Sequence, residues 1–318
     1  MADLPLRPLG SSGIDVSVLS LGSWRTFEPI GLERSIEVMG AARRAGINFL
    51  DDARYNDETG TAPVPTGYSE VLFGEIFRAV GWVRDEVVVA NKLWWEFWPD
   101  QDAAAELDAS LDRMGLDHVD LIYSMPPPEG LPVTDLITQV AGLVTTGRAR
   151  AWGVGNWPAD LIAVALTWCT TNHLPMPCAA QLPYSIARPG WVEGHDMAEV
   201  LSADGVSLVA SSVLASGVLS GKYLRGETGR VSGSGDDPTV GTVANVARGA
   251  AELAEEWGIS PAHVAFCFAL AHPALASVLF GATSPEQVRE NVAAVDVFAG
   301  LSAAEVARVR ALAGGAST

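Results

Sequence analysis

Eight apolar runs of strand character, each followed by residues at helical spacing, constrain this chain more than any other feature of its sequence. The strand-like runs are Ile14 to Gly22, Ile47 to Leu50, Glu86 to Lys92, Val119 to Met125, Ala149 to Asn156, Cys178 to Tyr184, Ser207 to Leu214 and Ala276 to Gly281. Between them, Leu32, Ile36, Met39 and Ala42 recur at helical spacing. So do Ser69 to Ala79, Ala103 to Met114, Leu136 to Val144, Ala159 to Thr170, Met197 to Ser202 and Val243 to Trp257. A further helix follows Pro285, and a last one covers Ala303 to Ala313. Eight such alternations predict an α/β fold of the (β/α)8 TIM-barrel kind, with one extra helix at the C-terminus. An open doubly wound sheet would carry a glycine-rich turn after its first strand. Here Gly10-Ser11-Ser12-Gly13 precedes that strand, which predicts an N-terminal β-hairpin instead. A barrel of this kind uses all 318 residues as one domain, residues 1–318. The one long irregular stretch, Lys222 to Thr242, is expected to be a lid or disordered.

Composition narrows the partners. A net charge of -18 repels nucleic-acid phosphates and anionic membrane surfaces, so neither is expected as a partner. No apolar run approaches the length of a membrane span, and Met1-Ala2-Asp3-Leu4-Pro5 is unlike a signal peptide. Cys169, Cys178 and Cys267 are odd in number and scattered, which predicts reduced thiols packed as small hydrophobes in a cytoplasmic protein. Among histidines and cysteines no pair has metal-ligand spacing, so no metal is expected. The Ser232-Gly233-Ser234-Gly235 stretch follows no strand and opens no helix, so it is a linker and not a nucleophile elbow.

The chemistry concentrates in Ile47-Asn48-Phe49-Leu50-Asp51-Asp52-Ala53-Arg54-Tyr55-Asn56, where an apolar run ends in acidic and phenolic groups. The next strand ends in Lys92. Two successive barrel strands would deliver Asp51, Tyr55 and Lys92 to one mouth. There the ammonium favours the tyrosinate, a carboxylate holds the ammonium, and the tyrosine hydroxyl is expected to move from its usual pKa of about 10 toward neutrality. Asp51 directly follows the apolar run and is preferred over Asp52 as the partner of Lys92. After Lys92 comes Leu93-Trp94-Trp95-Glu96-Phe97-Trp98-Pro99, four aromatics at the mouth, which predicts an apolar or aromatic substrate wall. Trp94 and, after the first strand, Trp24 are its candidates.

In order along nearly the whole chain, these segments resemble the aldo-keto reductase family. Gly22-Ser23-Trp24 resembles the end of the family's first strand, Asn48 to Tyr55 its Asp–Tyr segment, and Asn91-Lys92 its lysine strand. Trp152-Gly153-Val154-Gly155-Asn156-Trp157 resembles the segment that holds the nicotinamide carboxamide, and Gln181-Leu182-Pro183-Tyr184 the glutamine strand after it. Leu214-Ala215-Ser216-Gly217 with Gly221-Lys222 resembles the loop over the pyrophosphate, and Gly281 to Gln287 with Glu290-Asn291 the adenosine-phosphate site. The resemblance implies NADP(H) lying across the barrel mouth, with NAD(H) left open because Gly281 and Gln287 stand where some relatives carry basic residues. It implies cofactor contacts from Gly22, Ser23, Asn156, Gln181, Ser212, Leu214, Ser216, Gly281, Thr283, Gln287 and Asn291. It also implies hydride transfer to a carbonyl, with Tyr55 donating the proton.

Three departures accompany the resemblance. The Asp51-Asp52-Ala53-Arg54-Tyr55 segment is one residue shorter than the family's Asp-x-Ala-x-x-Tyr. The family's catalytic histidine, in Asp-Leu-x-x-x-His, is here Met125, in Asp120-Leu121-Ile122-Tyr123-Ser124-Met125. Ser211 stands where the family usually stacks an aromatic on the nicotinamide, and Tyr184 is the neighbouring ring that would compensate. Of the histidines only His195, after the sixth strand, is placed to reach the mouth. The expected activity is reduction of a carbonyl, enone or imine in a small apolar or aromatic substrate, with Met125 in the substrate pocket. The alternative is a nicotinamide-binding redox sensor or partner subunit with little or no catalysis. Oligomeric state and reaction direction are left open.

Overall fold

A computed structural model describes residues 4–58, 60–202, 205–225 and 238–313. Eight parallel strands close into a barrel: β1 (Leu19–Gly22), β2 (Phe49–Asp51), β3 (Val88–Leu93), β4 (Val119–Ser124), β5 (Ala149–Gly155), β6 (Pro177–Pro183), β7 (Ser207–Ser211) and β8 (Leu275–Phe280). Each pairs with its sequence neighbour, and β8 pairs with β1 to close the ring. Helices alternate with the strands around the outside, and Ala303–Ala311 is the extra C-terminal helix. It opens with a reciprocal cap, in which the Ser302 side chain bonds the Glu305 backbone and the Glu305 side chain bonds back.

The expected first strand is two elements. Asp15–Ser17 pairs antiparallel with Leu6–Pro8 as the hairpin, and only Leu19–Gly22 joins the barrel. Ser17 and Asn48 make the break between them. The Asn48 side chain accepts the Ser17 N–H at 2.7 Å, and the Ser17 hydroxyl accepts the Asn48 N–H at 3.0 Å. The expected seventh strand stops at Ser211, because Ser212 turns left-handed with φ 56°. Within Lys222 to Thr242, helix Pro238–Trp257 begins at Pro238, while residues 226–237, Ser232 to Gly235 among them, lie outside the described residues.

Alternation along the strands splits the core in two. One side packs against the helices. The other fills the barrel with Phe49, Val88, Ala90, Leu121, Tyr123, Ala151, Ala179, Val209 and Ala276. Leu9, Ile14 and Val16 of the hairpin join that interior cluster and plug the end where the strands begin. Gly10 makes the plug fit: with φ +54°, a Cβ there would lie 2.1 Å from the carbonyl oxygens of both Cys178 and Gly205. The other end of the barrel stays open.

Candidate functional site

The same alternation carries polar groups to the open end. Continuing the interior face past Phe49 reaches Asp51, past Ala90 reaches Lys92, past Tyr123 reaches Met125, and past Ala179 reaches Gln181. All four line one cavity of about 860 Å³ at the carboxyl ends of the strands.

Lys92 Nζ donates to Asp51 Oδ1 and reaches the Tyr55 hydroxyl at 3.3 Å. Gln181 Nε2 donates to the other Asp51 oxygen at 2.8 Å. The partner of Lys92 is therefore Asp51. Asp52 faces away: it is fully buried, its Oδ1 accepts the Ser23 hydroxyl, and its Oδ2 has no partner. Burial, then the nearby Glu70 charge, hold the Asp52 carboxyl well above the usual range. Ser69 fixes the shortened loop, its hydroxyl donating to the Ala53 carbonyl at 2.7 Å and accepting the Tyr55 N–H at 3.2 Å. Tyr55 thus stands between two indoles, 6.4 Å from the Trp24 ring and 6.0 Å, edge-on, from that of Trp94.

The expected shift of Tyr55 toward neutrality is corrected. Burial, then the charges of Asp51, Asp52 and Glu70, raise its hydroxyl well above the ordinary value. Burial is the largest cause, and the surrounding carboxylates add to it. The group is a protonated phenol at neutral pH, suited to donate.

Of the four aromatics after Lys92, Trp94 alone lines the cavity. Trp95 is buried, its indole N–H donating to Ser124 Oγ at 3.1 Å, and Trp98 packs on it. Phe97 lies on the Arg54 guanidinium, 4.6 Å from its ring centre. Arg54 organises this wall and escaped sequence reasoning, although it sits inside the Asp–Tyr segment. Its side chain is 3 % exposed and pairs with Glu96 at 2.8 Å. Beside it, Glu106 accepts the N–H groups of Trp94 and Trp95 at 2.8 and 3.1 Å. Met125 is wedged against β5: a Cβ on Gly155 would lie 2.7 Å from its sulfur.

In the far half of the cavity Asn156, Ser212, Ser216 and Gly217 line the wall with positive φ beside Lys222. The N–H groups of Asn156 and Gly217 are bonded to the Gln181 and Leu214 carbonyls. Leu214, Gly281, Thr283, Gln287 and Asn291 line the end of that half, where Gln287 accepts the Thr283 N–H at 2.8 Å. Gly22, Trp24, Asn156, Gln181, Ser212 and Ser216 line the same cavity. Ser23 does not, because its hydroxyl is spent on buried Asp52. Tyr184 is also elsewhere. It packs on Phe268 and His272, with its hydroxyl donating to Glu193 at 2.6 Å, and so offers no ring beside Ser211. His195 lies exposed on the helix His195–Ser202, and among the described residues no histidine lines the cavity.

A profile of the Aldo/keto reductase family matches residues 18–313. The chain belongs to the aldo-keto reductase family. Among aldo-keto reductase relatives, a rice (Oryza sativa subsp. japonica) protein named "Probable voltage-gated potassium channel subunit beta" is 31% identical over 96% of this chain and 95% of its own length. A protein of the same name from Arabidopsis thaliana is 29% identical over 92% of this chain and 91% of its own. Among the described residues, no helix of this chain is long and apolar enough to cross a membrane, and no His, Cys, Asp and Glu cluster is arranged to hold a metal.

Proposed function

We propose that this chain is an NADP(H)-dependent oxidoreductase that reduces a carbonyl, enone or imine in a small apolar or aromatic substrate. The observation that carries this reading is the Tyr55 hydroxyl 3.3 Å from Lys92 Nζ, between Trp24 and Trp94, with Asp51 behind the lysine. The cofactor fits the other half: the cavity runs on from Asn156 and Gln181 past Lys222 to Thr283, Gln287 and Asn291, which suits a dinucleotide with its pyrophosphate near the lysine. Asn156 and Gln181 would hold the nicotinamide end, and Thr283, Gln287 and Asn291 the adenosine end. When bound, the cofactor supplies the hydride. Tyr55 gives the phenolic proton to the substrate atom that gains charge, and Lys92 stabilises the tyrosinate left behind. Asp51 and Gln181 hold Lys92 in reach. Trp24 and Trp94 wall the substrate off from water.

Met125 contributes no donor. In well-studied oxyanion holes, one lost donor costs about 2.7–4 kcal/mol. That favours substrates that gain no charge on oxygen in the transition state, and imines qualify. A second reading, a nicotinamide-binding partner subunit, has its own support in the names of the rice and Arabidopsis relatives and in Met125 itself.

The test is fluorescence titration with NADPH and NADH, followed by single-turnover oxidation against aldehydes, enones and cyclic imines. Tight binding with turnover that Tyr55→Phe removes supports the reductase. Tight binding without turnover on any class moves the assignment to the partner subunit. Failure to bind either nucleotide removes both readings.

A further inference from the structure

Of the 20 lysines and arginines in this chain, two are lysines, Lys92 and Lys222. Both line the same cavity. Lysine is the side chain that acylating reagents attack, and arginine keeps its charge and is spared. On a chain with scattered lysines such a reagent marks many places. Here it meets two, and both stand where cofactor and substrate are assigned. The two differ in access. The Lys92 side chain is 6 % exposed, and its Nζ is held by Asp51 and lies 3.3 Å from the Tyr55 hydroxyl. An acyl group there would break a buried ion pair and strand a carboxylate, which opposes reaction. Lys222 is partly exposed. It follows Gly221, which turns left-handed with φ 76° and sends the lysine side chain back over the loop. A Cβ on Gly217 would lie 3.0 Å from its Cε and 3.1 Å from its Nζ. The same Nζ lies 5.0 Å from the centre of the Tyr223 ring. The amine is thus held against Gly217, itself part of the cavity wall.

We propose that Lys222 is an acylation site, and that its reaction with a small acyl phosphate closes the cofactor half of the cavity. This rests on the cofactor reading above, which sets the pyrophosphate near this lysine. A place that suits phosphate oxygens admits the phosphate of such a reagent and brings its carbonyl carbon to Nζ. The unprotonated amine attacks that carbon. A C–N bond forms, the C–O bond to phosphate breaks, phosphate leaves with the electron pair, and the proton of the amine passes to water or to the phosphate. Nothing is oxidised or reduced. The product is a neutral amide, which has lost both the charge that would meet the pyrophosphate and the cation beside the Tyr223 ring. Cofactor and acyl donor therefore compete for one place, and a loaded cavity protects its own lysine.

The test treats the wild-type protein with acetyl phosphate, with and without NADPH, and maps the acetylated sites by peptide mass spectrometry. The amino terminus reacts in any chain and serves as the internal reference. Lys222 should be labelled and Lys92 should not. NADPH at about ten times its Kd should slow labelling of Lys222 about tenfold and leave that of the amino terminus unchanged. The acetylated protein, titrated by NADPH fluorescence, should bind about tenfold more weakly or worse, the scale of one charge-assisted contact. Lys222→Gln, which carries a neutral amide, should bind as weakly without treatment. Lys222→Arg keeps the charge and offers no amine to acylate, so acetyl phosphate should leave its affinity for NADPH unchanged. Lys92 labelled as fast as Lys222, labelling that NADPH does not slow, wild-type affinity in the acetylated protein, or a loss of affinity in treated Lys222→Arg would each overturn the proposal while leaving the cofactor reading in place. No NADPH binding by the untreated wild type would overturn both.

Discussion

At the residue scale, two neighbouring carboxylates of one turn have opposite lives. Asp51 is ion-paired with Lys92, whereas Asp52 is buried with one hydroxyl donor and an unpartnered oxygen. Its folded pKa is raised, so the unfolded chain gives up the proton first. The linkage sign follows: the native state is favoured below the unfolded carboxylate range, and that contribution is lost as pH rises toward the folded value. Asp52→Asn removes an acid that resists ionisation. Its melting temperature should exceed that of the wild type at pH 8, and the two should converge near pH 4, as differential scanning calorimetry would read. Tyr55 sets a second pH dependence. A raised phenol is protonated across the neutral range, so reductive turnover should stay flat from pH 7 to 9 and fall only above the ordinary tyrosine range of about 10. A decline centred near pH 7 would restore the tuned tyrosinate. At Met125, which lines the cavity, a histidine would add a donor. Met125→His should shift preference toward simple aldehydes relative to imines, by tenfold or more in kcat/KM ratio. An unchanged ranking would mean that Met125 does not select the substrate.

At the element scale, the wall loop after β3 depends on one carboxylate. Glu106, from the helix Ala103–Met114, accepts two consecutive backbone N–H groups and so fixes where Trp94 enters the cavity. Glu106→Ala leaves those donors buried without a partner. It should cost about 2 kcal/mol of stability by urea unfolding and raise KM for aromatic substrates more than for small aliphatic ones. Stability loss with an unchanged KM pattern would separate the loop from substrate selection. This element also marks where sequence reading stopped. The strands, the hairpin and the meeting of Asp51, Tyr55 and Lys92 follow from periodicity, because alternation of side chains along a strand is local. Which of four aromatics faces the cavity depends on Arg54 reaching Glu96 and on Glu106 of the following helix, contacts made across the chain. Ser23 and Tyr184 lie off the cavity wall for the same reason. Each is polar and near the mouth in sequence, but its hydroxyl is claimed by a residue from another element, Asp52 in one case and Glu193 in the other.

At the scale of the whole molecule, closure is what joins the parts. β1 pairs with β8 across nearly the full length of the sequence, and the hairpin plugs the barrel by packing Leu9, Ile14 and Val16 among residues from β2 to β8. No strand can leave without opening the ring and unseating the site above it, so the chain should unfold as one domain. The three thiols make this measurable. Cys178 lies in the barrel interior, Cys169 on the helix Ala159–Asn172 and Cys267 on the helix Pro261–Leu270. All are buried and unpaired, and burial raises their pKa to about 12, about 11 and about 12 respectively. In the native protein they should resist maleimide at pH 7.5, because neither access nor thiolate is available. Pulse labelling through a urea series, read cysteine by cysteine by mass spectrometry, should give one common midpoint that coincides with loss of the circular dichroism signal. An earlier midpoint for Cys267 than for Cys178 would show the C-terminal helices leaving a barrel that persists, and would divide the chain into two units where closure argues for one.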